Sequence, residues 1–225
     1  MDNDAAPRSK AKPKWAPTVV RPSLTGRQST PLMVLNVKGK TVCADHLDEV
    51  DLDKVRPARQ FVGQATQRNK PSRLMLQRSG QMVTVESDTE GVLAHLYESD
   101  QRVRRIIAQP FWIQRELAPA TGRDSTKRRT TWVCPDFLIE YENGALLTLE
   151  VKRAGFTLVD AAQRKYDSVG ESCRQARTHY LLREGLSNRE REVFYLLHLH
   201  RRNNLLPIRD VEAIRTVVLH HAREG

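Results

Sequence analysis

The amino-acid sequence predicts a mixed α/β fold in which a mixed central sheet is flanked by helices. Strand-like runs of alternating apolar residues recur between residues 81 and 184, and two longer segments of that region carry apolar residues at helical spacing. The resulting order is helix, strand, strand, strand, helix, strand, which is typical of an α/β core. The 225 residues, 39% of them apolar, suffice for one sizeable domain plus a smaller appendage.

The first 80 residues fall into two parts. Residues 1–30 are rich in Pro, Ser, Thr, Lys and Arg, and we interpret them as a disordered basic arm that is either a tail contacting phosphates or merely a leader. Residues 31–80 are predicted to form a strand and loop extension. One strand-like run covers residues 32–37 and two more flank a Ser-Gly turn, whereas the polar segment 51–72 is predicted to be a loop.

The predicted core, residues 81–184, begins with a helix. Ser87 and Glu90 have the spacing of a capping box, in which each side chain bonds a backbone N–H group near the helix start. The other predicted elements are a strand within 103–117, a polar loop over 118–129, a hairpin within 134–153, a helix over 158–176 and a strand over 178–184.

Residues 185–225 are predicted to form a small helical C-terminal region that contacts a partner or DNA. Ser187 and Glu190 form a second capping box, which marks the start of a helix. Pro207 interrupts that helix, and another is predicted over 208–223.

The hairpin carries acids and a lysine on an otherwise apolar strand. Side chains alternate between the faces of a strand, so Glu150 and Lys152 share one face, roughly 7 Å apart along the strand. A two-residue turn would send Asp136 to the opposite face, whereas a three-residue loop (142–144) pairs it with Glu150. We favour the three-residue loop, because Gly144 then occupies the left-handed position that this loop type requires.

Two carboxylates and a lysine on one face indicate a metal-dependent hydrolytic site. Paired carboxylates repel each other unless a cation lies between them. Oxygen ligands suit Mg²⁺, with Mn²⁺ able to substitute, and such a metal activates water and offsets charge on a phosphodiester. Asp136 and Glu150 would bind the metal, and Lys152 would position the water or stabilise developing negative charge. The alternative is an exposed hairpin whose lysine only screens two cross-strand acids.

The charge of the chain favours nucleic acid as a partner, since the net charge is +10 and the isoelectric point is near 9.8. No run of eighteen apolar residues and no secretory leader occur in the sequence, so we expect a cytoplasmic protein.

Cys43, Cys134 and Cys173 lie far apart and lack metal-ligand spacing. We expect them to be reduced and mostly buried.

Two motifs of the hairpin resemble the signature of the PD-(D/E)XK nuclease superfamily: Pro135-Asp136 and Glu150-Val151-Lys152. The order of elements resembles the restriction-endonuclease-like core of that superfamily. Within it, the stretch ESDTEGVLAHLYESDQRVRRIIAQPFWIQ, followed by PDFLIEYENG and LEVKR, resembles the TnsA-like endonuclease subunits of heteromeric transposases. The match extends over about residues 55–153.

The resemblance assigns roles to individual residues. It implies that the catalytic set is Glu90, Asp136, Glu150 and Lys152, and that the metal is held by Glu90, Asp136, Glu150 and the carbonyl of Val151. Glu90 can also be explained as the capping-box residue, but it lies on the apolar stripe of its helix, where an unpaired acid is costly. Glu86 is the fallback for the helix acid.

The resemblance also implies an activity and partners. It predicts a Mg²⁺-dependent endonuclease subunit of a bacterial cut-and-paste transposase, which cleaves the 5′ (non-transferred) strands of the DNA at transposon ends. A DDE-type transposase would process the 3′ ends, and a regulatory AAA+ ATPase is a further expected partner, but no membrane is. Two alternatives remain open: a PD-(D/E)XK nuclease of restriction or DNA repair, and a non-catalytic DNA-binding assembly subunit.

Two basic groups are candidate DNA contacts. One directly precedes the hairpin and the other follows the first helix; they are Lys127, Arg128 and Arg129, and Arg102, Arg104 and Arg105. A solvated basic face is the alternative for either group. Gln109, which precedes Pro110, either faces the site or simply ends a strand.

Overall fold

The computed structural model describes residues 33–59, 71–117, 129–156 and 159–203. Eleven strands and three α-helices lie in these ranges: β1 Met33–Val37, β2 Lys40–Ala44, β3 Val55–Arg56, β4 Ser72–Leu76, β5 Gln81–Val85, α1 Asp88–Glu98, β6 Val103–Ala108, β7 Phe111–Leu117, β8 Arg129–Val133, β9 Phe137–Tyr141, β10 Leu146–Lys152, α2 Asp160–Gln175, β11 His179–Glu184 and α3 Asn188–Asn203. Two 3₁₀ turns precede β3, at Leu47–Glu49 and Leu52–Lys54. The fold is mixed α/β, as the sequence predicts.

The central sheet has four strands in the order β11-β10-β9-β6. The β6–β9 and β9–β10 pairs are antiparallel, and β10 and β11 are parallel with Glu150 opposite Leu182. Parallel strands need a long crossover connection, and helix α2 provides it between β10 and β11. The predicted mixed sheet and its order of helices and strands are therefore confirmed for the elements α1, β6, β9, β10, α2 and β11.

The prediction of one strand within residues 103–117 is wrong, because the chain leaves the central sheet at Gln109. The backbone of Gln109 has a positive φ of 43°, and Pro110 follows it. Proline has no N–H to donate to a strand partner, so β6 ends there and β7 starts in another sheet. Residue Arg129, assigned to a loop from the sequence, is the first residue of β8, which pairs with β7.

The second sheet contains β2, β1, β7 and β8 in that order, with β3 paired to β1. The predicted strand over 32–37 is confirmed as β1, but the sequence prediction missed its hairpin partner β2. The β4–β5 hairpin around the Ser-Gly turn is also confirmed, and it forms a separate two-stranded sheet. The polar segment 51–72 is not wholly a loop, since one 3₁₀ turn and β3 lie in its described part.

The central sheet lies between two hydrophobic clusters. Helix α1 and the β4–β5 hairpin pack on one face, where Leu93 and Leu149 are fully buried. Helix α2 and the second sheet pack on the opposite face, against Leu138, with Val169 buried beside it. Neighbouring residues of β9 and β10 thus face different clusters, which is the alternation that the sequence pattern predicts.

The predicted capping box at α3 is complete, whereas only half of the one at α1 is present, because the Glu90 carboxylate accepts the Glu86 N–H and not the Ser87 N–H. At α1 the hydroxyl oxygen of Ser87 accepts the N–H of Glu90 at 3.3 Å. At α3 the pair is reciprocal: the Glu190 carboxylate accepts the Ser187 N–H at 2.7 Å and the Ser187 hydroxyl accepts the Glu190 N–H at 3.3 Å. The bonded N–H groups lack partners within the helix, so each box stabilises a helix start.

Several sequence predictions lie outside the described residues, namely the basic arm over 1–30 and the last helix over 208–223.

The cysteines are free thiols, but only Cys173 is fully buried, while Cys134 is intermediate and Cys43 is exposed. The expectation that they are mostly buried is therefore wrong for Cys43, which lies on the edge strand β2. No helix in the described ranges is long and apolar enough to cross a membrane.

Gly185, which follows β11, provides a test of how the elements around β10 fit together. Its N–H donates to the Lys152 carbonyl at 2.7 Å, and a Cβ at this position would collide with the Thr89 methyl group. We expect Gly185→Ala to lower the free energy of unfolding by about 1–3 kcal/mol, the usual cost of overpacking. Urea denaturation measures the change.

The matched variant is Gly185→Ala combined with Thr89→Ala, which removes the colliding methyl group. It should recover most of the lost stability, and Thr89→Ala alone serves as the control. A double variant as unstable as Gly185→Ala would show that the collision with Thr89 is not the cause.

Candidate functional site

The hairpin between β9 and β10 has the three-residue loop that the sequence favours. The Tyr141 N–H donates to the Ala145 carbonyl at 2.9 Å, and the Gly144 N–H donates to the Tyr141 carbonyl at 2.9 Å. Gly144 has a φ of 81°, the left-handed conformation expected there. The register pairs Phe137 with Leu149, and one more step along both strands brings Asp136 opposite Glu150. The predicted register is confirmed.

Pro135 explains how the site opens at this end of the hairpin. Continuing the register places Pro135 opposite Val151 at a position where antiparallel residues exchange both backbone bonds. Proline has no N–H, so it cannot donate to the Val151 carbonyl. In a continued ladder the Val151 N–H would bond the Pro135 carbonyl, but here it donates to the Asp136 carboxylate at 2.7 Å. The N–H and C=O of one residue in an antiparallel strand point to the same side. The Val151 carbonyl therefore faces the side on which Asp136 lies, and Pro135 has no N–H to bond it.

Glu150 and Lys152 form a close ion pair on the same face of β10. The Lys152 Nζ lies 2.6 Å from the Glu150 Oε1, and it lies 5.3 Å from the centroid of the Tyr166 ring of α2. Glu150 is only 5% exposed, so its charge is largely removed from water. Among the described residues, no group hydrogen-bonds to the second oxygen of Glu150, Oε2. One oxygen of this buried carboxylate thus retains its capacity to accept a ligand.

Two acids at the start of α1 lie near this pair. Glu90 is 7% exposed, and its carboxylate accepts the Glu86 N–H at 2.8 Å and the Ser87 hydroxyl at 2.9 Å. Glu90 therefore fills the capping role as well as lying beside the hairpin. Glu86 is half-buried and forms an ion pair with Arg59, whose guanidinium lies 2.8 Å from Glu86 Oε1.

The acids raise one another's proton affinity. Burial, followed by the carboxylates of Glu150 and Glu90, raises the pKa of Asp136 to about 8, although the Val151 N–H bond and Lys152 oppose the shift. Burial also raises the pKa of Glu90 and of Glu86 above the ordinary glutamate value. With all of these acids ionised, the cluster would carry more negative charge than Lys152 offsets, so a bound cation would replace the protons that the raised pKa values favour.

Lys152 remains protonated in this environment. Burial by itself would lower its pKa, but the charge of Glu150, the hydrogen bond to Glu150 and the charge of Asp136 outweigh burial and raise it. At neutral pH Lys152 is therefore a positive hydrogen-bond donor and not a base.

The described residues contain no ready-made group of three or more His, Cys, Asp or Glu side chains that could hold a metal. The fit to Mg²⁺ is therefore that of a site with few protein ligands, in which water completes the coordination. Three features agree with such a site: the available Oε2 of Glu150, the raised pKa of Asp136, and the direction of the Val151 carbonyl. Glu90 lies close enough to affect Asp136, but the helix cap holds both of its oxygens.

The candidate DNA-contacting arginines on and before β6 all have carboxylate partners. Arg102 is exposed and pairs with Asp100 at 2.7 Å. An irregularity in the β6–β9 register lies between Val103 and Arg105, and Arg104 and Arg105 both reach Glu140, at 3.0 and 3.6 Å. Arg105, which also pairs with Asp53, is largely buried, so Arg102 and Arg104 are the more accessible to DNA. DNA contact by any of the three stays a prediction.

For the other group of candidate DNA contacts, Lys127, Arg128 and Arg129, the structure describes no side-chain contacts. Lys127 and Arg128 lie outside the described residues, and for Arg129 the structure gives only its position opposite Leu117 at the start of β8. Their predicted role likewise stays a prediction.

Sequence reasoning missed Arg59 and Tyr166 and left Gln109 undecided. Gln109 is only 2% exposed, and within the described part of the chain neither amide atom has a hydrogen-bond partner. Its N–H donates to the Asp136 carbonyl at 2.8 Å, so it adjoins the site and does not merely end a strand. The signal in the sequence was Pro110 itself, since a proline interrupts the hydrogen bonding of a strand and marks a change of direction directly after Gln109.

Comparisons with known proteins add no family to this description. No protein-family model matches the chain, and a search of curated proteins found no significant match. The chemistry of the hairpin residues therefore carries the functional interpretation.

Proposed function

We propose that this protein is a Mg²⁺-dependent DNA endonuclease with a restriction-endonuclease-like core. The observation that carries the proposal is the convergence of Asp136, Glu150 and Lys152 at the open end of the β9–β10 hairpin, where burial and mutual repulsion raise the pKa of Asp136. Burying like charges together lowers the free energy of unfolding. Acids with pKa values raised in this way are typical of functional sites. A purely structural hairpin would gain stability by losing one of the acids.

The residues have distinct roles in hydrolysis of a phosphodiester. Asp136 and Glu150 would hold the metal with help from the Val151 carbonyl, and Glu90 would add negative charge beside them. A bound Mg²⁺ lowers the pKa of a coordinated water and offsets charge on the phosphate. Lys152, protonated and held by Glu150, donates a hydrogen bond to the attacking water or to the developing negative charge. Tyr166 limits where Lys152 can move, because its ring lies beside Nζ.

DNA is the substrate that the charge of the chain favours. The net charge of +10 attracts the DNA phosphates, whereas the acid cluster would repel them without a cation. The exposed Arg102 and Arg104 are candidate contacts to the DNA backbone outside the cluster.

Within this class, the resemblance of residues 55–153 to TnsA-like subunits leads us to propose a role in cut-and-paste transposition. The protein would cleave the 5′ strands at the transposon ends, and a DDE-type transposase would process the 3′ ends. Helix α3 is a candidate surface for the transposase or an AAA+ regulator, because Tyr195 and Leu196 are exposed on it.

The test is a reconstituted transposition reaction with Asp136→Ala or Lys152→Ala, in which both strands at the transposon ends are mapped. We expect loss of 5′-strand cleavage by a factor of at least about 100, with 3′-strand cleavage retained, because the two strands are cut by different subunits. Strand-resolved sequencing gels measure both products.

Unchanged double-strand excision by both variants would contradict the assignment of the site. Arg73→Met, which removes an exposed charge from β4, is the control for nonspecific effects of the substitutions. Calorimetric Mn²⁺ titration of wild type and Asp136→Ala distinguishes catalysis from a non-catalytic DNA-binding role: equal heats in both proteins would favour the latter.

A further inference from the structure

We propose that Arg59, from the segment that precedes the core, is a further residue of the site and binds the phosphate group at which the DNA is cut. The inference rests on the proposed nuclease function, and it names the side chain that receives the anionic substrate within the acid cluster. Sequence position gives no hint of this role, since Arg59 lies 77 residues before Asp136.

The residue before Arg59 is anchored on both of its backbone polar groups. The Ala58 N–H donates to the Gln109 carbonyl at 2.8 Å, and the Trp112 indole N–H donates to the Ala58 carbonyl at 3.0 Å. Ala58 also packs beside the buried Trp112. Because Gln109 in turn donates its N–H to the Asp136 carbonyl, a short chain of hydrogen bonds fixes Arg59 relative to the hairpin.

This anchoring places the Arg59 guanidinium at the rim of the acid cluster. The guanidinium lies 2.8 Å from the Glu86 carboxylate, and the side chains of Arg59 and Glu86 are 36% and 25% exposed. The Glu86 carboxylate lies close enough to Glu150 and Lys152 for their charges to act on it. Arg59 is thus partly exposed and adjoins a half-buried acid of the cluster, so a phosphate entering the site from solvent can reach its guanidinium.

A phosphate approaching the cluster needs more positive charge than Lys152 alone supplies, since Glu150, at 2.6 Å, offsets the charge of that ammonium. A guanidinium is suited to the role because its planar fork donates two parallel hydrogen bonds to phosphate oxygens. Its ion pair with Glu86 does not prevent this. The ion pair is a contact between Nη2 and Oε1, and the five N–H donors of a guanidinium allow it to bond a carboxylate and a phosphate together.

The backbone at Gln109 supports the same inference. A positive φ before proline costs on the order of 1–3 kcal/mol and persists only where the surroundings impose it. Here that conformation directs the Gln109 carbonyl to Ala58 and the N–H to Asp136. Holding Arg59 beside the hairpin accounts for a conformation that the strand β6 alone does not need.

The experiment compares Arg59→Met, Arg59→Lys and Trp112→Phe with wild type in two assays. The first is the rate of 5′-strand cleavage at saturating DNA, and the second is stabilisation of the protein by inorganic phosphate, measured as the rise in melting temperature. Arg73→Met is the control for loss of one exposed positive charge. Chemical denaturation of each variant, without phosphate, shows whether it is folded.

We expect Arg59→Met to lower the cleavage rate about 100-fold, the usual effect of removing one donor to developing charge. Arg59→Lys should lose about tenfold, because it keeps the charge and loses the fork. Trp112→Phe keeps an aromatic ring, although a smaller one, and loses the N–H donor, so it should reduce the rate and the phosphate effect by more than its loss of stability explains. Arg59→Met should abolish stabilisation by phosphate, and Arg73→Met should retain it.

The outcomes separate the inference from the proposed function. Phosphate binding that depends on Arg59 in a protein without cleavage activity would support the inference and contradict the nuclease assignment. Cleavage at the wild-type rate by folded Arg59→Met would overturn the inference and leave the assignment intact. Absence of both cleavage and phosphate binding in wild type would overturn both.

Discussion

Asp136→Asn is expected to stabilise the metal-free protein at pH 8 while it abolishes DNA cleavage. Asparagine keeps the shape of the side chain and an oxygen that can accept the Val151 N–H, but it removes a charge that Glu150 and Glu90 repel. A tenfold change in proton affinity corresponds to about 1.4 kcal/mol. With the pKa of Asp136 raised to about 8, we expect a gain in the free energy of unfolding of at least about 2 kcal/mol.

The pH dependence follows from the direction of the shift. An acid whose pKa is higher in the folded protein than in the unfolded chain binds its proton more tightly when folded. The metal-free wild type should therefore become more stable as the pH falls from 8 to about 5, and the raised pKa values of Glu86 and Glu90 act in the same direction. Asp136→Asn should show a flatter profile over this range.

Urea denaturation between pH 5 and pH 9, with and without Mg²⁺, measures both effects. Mg²⁺ at ten times its dissociation constant should stabilise wild type by about 1.4 kcal/mol and should stabilise Asp136→Asn much less. Asp100→Asn is the matched control, because Arg102 holds the pKa of Asp100 at about 2, so that its removal leaves the profile above pH 5 unchanged. An Asp136→Asn variant less stable than wild type at pH 8 would contradict the repulsion on which the site assignment depends.

Lys152→Met is expected to have the opposite effect on stability, although it also abolishes cleavage. Removing one partner of a buried ion pair leaves the other charge uncompensated, which costs about 3–5 kcal/mol for fully buried pairs. Because the Lys152 side chain is 21% exposed, we expect a loss of about 2 kcal/mol at pH 8. The loss should be smaller at pH 5.5, since Asp136, whose pKa is raised to about 8, is then protonated and no longer adds its charge to that of Glu150.

The double variant Lys152→Met with Glu150→Gln tests the cause. It removes both charges of the ion pair, so it should recover most of the stability lost in Lys152→Met, and a double-mutant cycle from denaturation midpoints gives the coupling energy. Lys54→Met provides a comparison, since its ion pair with Asp51 is exposed to solvent and should contribute much less to stability. If Lys152→Met is as stable as wild type, Glu150 is not a buried charge that depends on Lys152.

The local sequence determined the geometry of the hairpin and of the helix starts. Gly144 fits the left-handed position of a three-residue loop, and this turn alone sets the register that brings Asp136 opposite Glu150. Ser87 with Glu90 and Ser187 with Glu190 likewise specify their own helix starts. These features depend on interactions between residues a few positions apart, so pattern and spacing suffice to predict them.

Only the tertiary structure decided what surrounds the hairpin. The strand-like stretch over residues 103–117 is predicted as one strand, but it is shared between two sheets, because β6 and β7 pair with different partners. Arg59 lies at the rim of the acid cluster because its neighbour Ala58 bonds to Gln109 and Trp112, which are far from it in the chain. Ion pairs and burial likewise distinguish Arg105 from Arg102. Such contacts depend on how distant segments pack, which no local spacing encodes.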